Sequence, residues 1–186
     1  MPKMFSDNII FMDSEFSSLD PYKGEILSIG LIKPDGKELY LELEYTGEVD
    51  EWVKENIIPT LKGPKVSRQK AIEKIKEFVG KRKPYMICYV NQYDSIYWYK
   101  LFGVNNNPCC WIPIDFASIL WGLGINPEKY YEDKKEFAKK LGIDASRYTL
   151  HNALDDARLL RDVYLKFLEL SQSDLEQFRK QRSDKK

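Results

Sequence analysis

The sequence has 186 residues, 43% of them apolar and 31% charged, which suits one globular domain with a hydrophobic core and leaves little room for a second. Twenty-nine Lys and Arg balance twenty-nine Asp and Glu, so no global positive field draws in a polyanion, and any nucleic-acid partner must be held locally. The three cysteines, two of them adjacent at Cys109 and Cys110, fit neither a disulfide framework nor zinc spacing; with no cleavable leader pattern before Asp13 and an apolar stretch at 111–125 broken by Pro113, Asp115 and Gly122, the expectation is a reduced, cytoplasmic protein that does not cross a membrane.

Ile9 to Met12 form a short apolar run that leads into Asp13, Ser14, Glu15 and Phe16, the pattern of a central strand with an acidic end. Residues 25–33 give a second apolar strand, Pro34-Asp35-Gly36 a turn, and 38–44 an alternating third strand, so these three make an antiparallel meander. From Ser67, a candidate N-cap, Ala71, Ile72, Ile75, Phe78 and Val79 recur at helical spacing until Gly80, and this helix should cover one face of the sheet. Pro84 introduces a strand at 85–90, and Asp94 opens a helical segment ending near Gly103. Residues 111–114 read as a brief strand, 116–121 as an apolar helix, and about 127 to Leu141 as a charged helix closed by Gly142. After His151 the last long helix carries Leu159, Leu160, Val163, Phe167 and Leu170. Residues 1–172 thus read as a single domain, and 173–186 as a basic helix or tail with Arg179, Lys180, Arg182, Lys185 and Lys186. A meander followed by strands alternating with helices specifies an α/β fold, a mixed sheet flanked by helices.

Side chains two apart on a strand share a face, so Asp13 and Glu15 project together. Burying one unpaired carboxylate costs several kcal/mol or forces its protonation, and a like charge beside it aggravates both; a bound cation removes the conflict, and so does a solvated strand end. On the last helix, at about 100° per residue, Leu160, Val163 and Phe167 lie within roughly 40° of Asp156, which therefore points with the apolar stripe and needs a partner, a metal or a buried arginine. Asp155 and Asp162 fall to the side, as solvated helix carboxylates do. His151, the single histidine, sits just ahead of that helix, where a neutral imidazole can take a proton from water or simply pack. Asp94 and Asp115 each stand at a helix start, where a carboxylate commonly caps the first amides.

In order, Asp13-Ser14-Glu15, Asp94 within Tyr93-Asp94-Ser95, and His151-Asn152-Ala153-Leu154-Asp155-Asp156-Ala157 resemble the three motifs of the DEDDh-type, DnaQ-like 3′-to-5′ exonucleases of the RNase H-like superfamily. The resemblance spans nearly the whole chain and is closest to the bacterial exoribonuclease, oligoribonuclease and RNase T branch, through Glu15-Phe16, the segment from Trp52 to Pro64, and Leu101-Phe102-Gly103. Position 152 is Asn, where the tyrosine-type variant would carry Tyr, so the histidine class is favoured. One departure is that Asn91 precedes Asp94 by three residues, whereas many relatives place an Asn four before.

The resemblance implies an RNase H-like mixed sheet and a hydrolase using two ions, Mg²⁺ or Mn²⁺. Asp13, Glu15 and Asp156 would bind one metal, Asp13 would bridge to a second, and Asp94 would support that second ion. Four carboxylates against two divalent ions leave a neutral site that a phosphate can approach. Two ions stabilise the attacking and leaving oxygens of an in-line displacement, and His151 would accept the water proton, releasing the 3′-terminal nucleotide as a 5′-monophosphate. Phe16 and Ser17 would contact the terminal base and 3′-hydroxyl. Single-stranded nucleic acid, RNA before DNA, is the implied partner, and a homodimer is implied by the relatives alone. Aromatics crowd 85–102, and nine basic residues between Lys62 and Lys83 face two glutamates; both are read either as substrate contacts or as ordinary core and solvated surface. A DNA exonuclease, a structure-selective endonuclease that dispenses with His151, and a silent nucleic-acid-binding domain on the same fold remain the alternatives.

Overall fold

The computed structural model describes residues 4–179. A six-stranded mixed sheet forms its centre, in the order β4-β3-β2-β1-β5-β6. Strand β1 (Ile9–Phe16) pairs antiparallel with β2 (Ile26–Ile32), which pairs antiparallel with β3 (Glu38–Leu43). On its other side β1 runs parallel to β5 (Tyr85–Cys88), and β5 parallel to β6 (Ile114–Asp115). A two-residue strand, β4 (Lys65–Val66), lies parallel to β3 at the far edge and has no apolar pattern that would announce it. The α/β fold with a meander and added parallel strands is therefore the one the sequence specifies.

Eight helices complete the described chain: α1 (Glu51–Asn56), α2 (Arg68–Val79), α3 (Gln92–Phe102), α4 (Phe116–Gly122), α5 (Glu128–Glu132), α6 (Lys134–Lys140), α7 (Ala153–Leu168) and α8 (Gln172–Arg179). Every β2 residue is buried, because helices cover both faces of the sheet. Ile9 and Phe11 pack with Leu159, Leu160, Val163 and Phe167 of α7. Ile10, Met12 and Phe16 face the other way, onto Ala71 and Ile75 of α2 and Tyr97 and Trp98 of α3. This alternation continues the Phe11 row through Asp13 to Glu15, so both acids point to the side where α7 lies.

Several boundaries differ from the sequence reading for local reasons. The charged helix expected from 127 to 141 is two helices, because Asp133 adopts φ −153°, ψ 82° and caps α6 by accepting the Glu136 N–H at 2.8 Å. Strand β5 stops at Cys88, since Val90 lies in the left-handed region at φ 56°. The strand expected at 111–114 is reduced to Ile114–Asp115. Helix α3 starts at Gln92 rather than Asp94, so Asp94 sits inside the first turn and does not cap it. Asp155 and Asp162 are not freely solvated: Asp155 pairs with Arg158 at 2.7 Å and Asp162 with Arg147 and Arg161 at 2.6 Å. Leu175 and Phe178 of α8 enter the core against α7, while the basic positions 180–186 lie outside the described residues. Of the seven aromatics at 85–102, Tyr97, Trp98 and Phe102 are buried in the core, while Tyr85, Tyr89, Tyr93 and Tyr99 are half-buried. Among the described residues no helix is long and apolar enough to cross a membrane.

Candidate active site

Asp13 and Glu15 of β1 and Asp156 in the first turn of α7 converge: one carboxylate oxygen from each lies within 4.8 Å of the others. The convergence depends on how closely α7 can approach the sheet. Gly30 of β2 is the registered neighbour of Asp13, and a Cβ on it would stand 2.3 Å from the carbonyl oxygen of Ala153. Only a residue without a side chain lets the start of α7 rest there. Asn152 then caps the helix by accepting the Asp155 N–H at 3.2 Å.

His151 lies immediately before this cap and is exposed, with φ 63°. Its backbone N–H donates to Asp156 Oδ2 at 2.7 Å, and its carbonyl accepts from Thr60 Oγ1 at 3.2 Å. Its ring meets Trp52 edge-on, with centroids 5.2 Å apart. The histidine and the metal-ligand candidate are thus tied through the main chain, which leaves the imidazole nitrogens free of Asp156. Asp94 is buried on α3, and its Oδ1 has no hydrogen-bond partner among the described residues. Asp13, Glu15, Asp94, His151 and Asp156 all line one pocket of about 440 Å³.

Electrostatics set this pocket apart from the ion pairs elsewhere on the surface. Burial, then the charge of Asp156, holds the Asp13 carboxyl well above the usual range. The same two causes push Glu15 up to about 8. Burial pushes Asp94 up to about 7, the largest of the influences on it. The compensating cation is Lys134, whose Nζ donates to Asp156 Oδ1 at 2.6 Å. Burial alone would lower the lysine's pKa, but Asp156 and Asp13 outweigh it and raise it. Five acids line the pocket, the four above and Asp50, against one lysine, which leaves it short of positive charge. Opposite ligands of a Mg²⁺-sized ion, each at about 2.0–2.1 Å, lie about 4.2 Å apart, so a 4.8 Å span needs a contraction of under about 1 Å. The converging atoms are all hard oxygens, and the orphaned oxygen of Asp94 lies in the same pocket, so the residues fit a divalent metal.

The two residues expected to contact substrate differ. Phe16 lines the pocket and stacks on Tyr97 with centroids 4.1 Å apart. Ser17 does not reach it: the residue is 0% exposed and its hydroxyl accepts the Glu25 N–H at 3.0 Å, closing the loop after β1. Asp115 caps α4, as its position suggested, and its Oδ1 also accepts the Val90 N–H at 2.9 Å, steadying the turn that leads to Asp94. Lys134, Tyr131 and Leu19 line the pocket without any sequence signal, because their approach depends on how distant segments pack. Trp52 lies in the segment that carried the resemblance.

The sequence profile of the RNase_T family, described as an exonuclease, matches residues 10–164. No curated protein sequence matches the chain. Among solved structures, the chain is similar to E. coli exonuclease I in a zinc-bound complex with single-stranded DNA, at TM-score 0.65 and 16% identity, over 91% of this chain and 42% of that one. It is similar also to exonuclease I of Methylocaldum szegediense (TM-score 0.62, 16% identity, 90% and 42% covered). The RNase domain of yeast Pop2 follows at TM-score 0.53 and 11% identity, with 88% and 76% covered. These likenesses show a shared fold, and the chain spans about two-fifths of the length of exonuclease I.

Proposed function

This chain belongs to the RNase_T exonuclease family, among the DnaQ-like 3′-to-5′ exonucleases, and from that premise we propose that it is a metal-dependent 3′-to-5′ exoribonuclease releasing 5′-mononucleotides from single-stranded RNA ends or short oligoribonucleotides. The observation that carries the reading is the convergence of Asp13, Glu15 and Asp156 within 4.8 Å in a pocket shared with His151.

In this reading Asp13, Glu15 and Asp156 hold one Mg²⁺ or Mn²⁺, and Asp13 with Asp94 serves a second. When bound, such ions supply neutralising charge at the scissile phosphate and a more acidic water. The chain's own residues do the rest. Asp156 Oδ2 holds the His151 main chain, and Thr60 holds its carbonyl, so the exposed imidazole stands at the pocket mouth with a ring nitrogen able to take the water's proton. Phe16, Leu19, Trp52 and Tyr93 give the pocket an apolar wall suited to an unstacked base. Ser17, buried with its hydroxyl accepting the Glu25 N–H, lies behind this wall.

The likeness to exonuclease I bound to single-stranded DNA favours a second reading, a DNA exonuclease of the same fold, whereas the likeness to the Pop2 RNase domain and the motif resemblance favour RNA. Matched 5′-labelled RNA and DNA oligomers of several lengths, digested in one Mg²⁺ and Mn²⁺ titration, separate them. Faster stepwise shortening of RNA is expected; faster shortening of DNA would overturn the substrate assignment, and internal cuts would overturn the exonuclease mode.

A further inference from the structure

Lys134 is placed where a helix least favours a cation. It is the first residue of α6, at the positive end of the helix dipole, and the Asp133 cap fixes the break that puts it there. Tyr130 before it and Phe137 and Ala138 after it are buried, so the backbone around the lysine is anchored. Its side chain is 22% exposed while that of Asp156 is 2% exposed, so of the two partners the lysine is the one with a path to solvent. Asp156 Oδ2 is committed to the His151 N–H, and Nζ of Lys134 sits 2.6 Å from Oδ1. Both oxygens of Asp156 are therefore engaged, Oδ2 by a fixed main-chain amide and Oδ1 by an ammonium on a flexible stem.

We infer that Lys134 is a resident counter-cation of the acidic pocket, which stabilises the pocket before metal binds and must swing away from Asp156 Oδ1 for a divalent ion to load. This rests on the metal-binding reading given above. A divalent ion sharing that oxygen would stand a few ångströms from the ammonium, and the two positive charges repel at that range. The long, flexible stem of lysine allows departure without moving α6. Lys134 is thus a positioning residue: it lowers the affinity of the pocket for metal and keeps Asp13, Glu15 and Asp156 together while they wait for it.

Lys134→Met keeps the apolar stem and removes the charge, and Lys134→Arg keeps the charge. Calorimetry with Mn²⁺ alone, at mildly alkaline pH, should give about tenfold tighter binding for Lys134→Met than for the natural protein, and little change for Lys134→Arg. Without metal, Lys134→Met should melt lower than the natural protein, and saturating Mn²⁺ should narrow that gap. If Lys134→Met does not fold, lysine-labelled natural protein decides: the side-chain Cε resonance of Lys134, assigned by its absence in Lys134→Arg, should move in step with Mg²⁺ occupancy. Equal or weaker Mn²⁺ binding by folded Lys134→Met, or an unmoved Cε resonance at saturating Mg²⁺, would overturn the inference while leaving the metal site standing. Failure of the natural protein to bind either ion would remove both.

Discussion

Asp13 and His151 line the same pocket but have different duties, and single substitutions should separate them. Asp13→Ala removes the carboxylate shared by both proposed ion positions, so calorimetry should register no Mn²⁺ binding and turnover should vanish with it. His151→Ala leaves the three converging carboxylates intact, and its main-chain hydrogen bond to Asp156 does not need the imidazole. Mn²⁺ affinity should therefore persist while turnover falls by about 10²- to 10⁴-fold, the usual worth of a general base. Equal losses of affinity in both variants would contradict this division. Of these residues, Asp156 is legible in the sequence itself, because a carboxylate inside an apolar helical stripe needs a partner. What the stripe could not reveal was the partner's identity. An arginine was one expectation, and the cation is Lys134, delivered by a helix break that only the Asp133 cap creates. Ser17 shows the converse: its neighbour Phe16 lines the pocket, while its own hydroxyl accepts the Glu25 N–H across the loop, a tertiary contact that no local pattern announces.

Between elements, what counts is the fit of α7 on β2 and of the turn after β5 on α4. Gly30→Ala should drive a methyl group into the Ala153 carbonyl and lift the start of α7, costing about 1–3 kcal/mol and weakening Mn²⁺ binding by separating Asp156 from Asp13. Denaturant unfolding paired with calorimetry checks both effects; lost stability with unchanged affinity would show that the approach at Gly30 does not set the site. Asp115→Ala removes the α4 cap and the acceptor for the Val90 amide together. Loss of the cap alone costs about 0.5–2 kcal/mol. Because Val90 at φ 56° is a conformation β-branched residues resist, the released turn should relax and turnover should drop through Asp94, with the KM for an oligonucleotide changing less than kcat. Strong periodic elements such as α2 and α7 could be read from apolar spacing alone. The two-residue strand β4 could not, since it exists only by pairing with β3, and the strand read at 111–114 survives only as Ile114–Asp115, where it pairs with β5.

For the molecule as a whole, a balanced net charge conceals a local imbalance, five acids and one lysine lining one pocket, and stability should report it. Glu15 has its pKa raised from 4.5 to about 8 and Asp94 from 3.8 to about 7, so the folded chain holds protons that the unfolded chain releases. Their contribution is fully present below about pH 4 and is lost as pH rises through 7 to 8, so the metal-free protein should lose stability across that window. Saturating Mg²⁺ should flatten the dependence, because an ion that binds the ionised carboxylates of the folded state adds most stability at the pH where they would otherwise stand charged and unpaired. Thermal melts at stepped pH, with and without Mg²⁺, read this directly, and parallel curves would mean that the ion does not engage these carboxylates. The α/β class and the meander followed from strand order, and the three acids were named together through their motif order. Their convergence in space depends on Gly30 admitting α7, so that Asp156 meets the two acids of β1 at one end of the sheet, which no local pattern specifies.

The most direct test follows 5′-labelled single-stranded RNA in Mg²⁺ with the natural protein and with Asp156→Asn, which keeps the shape of the side chain and removes its charge. The account predicts one-nucleotide shortening from the 3′ end with release of 5′-mononucleotides, abolished in the variant. The same ladder produced by Asp156→Asn would contradict the assignment of Asp13, Glu15 and Asp156 as the catalytic metal site.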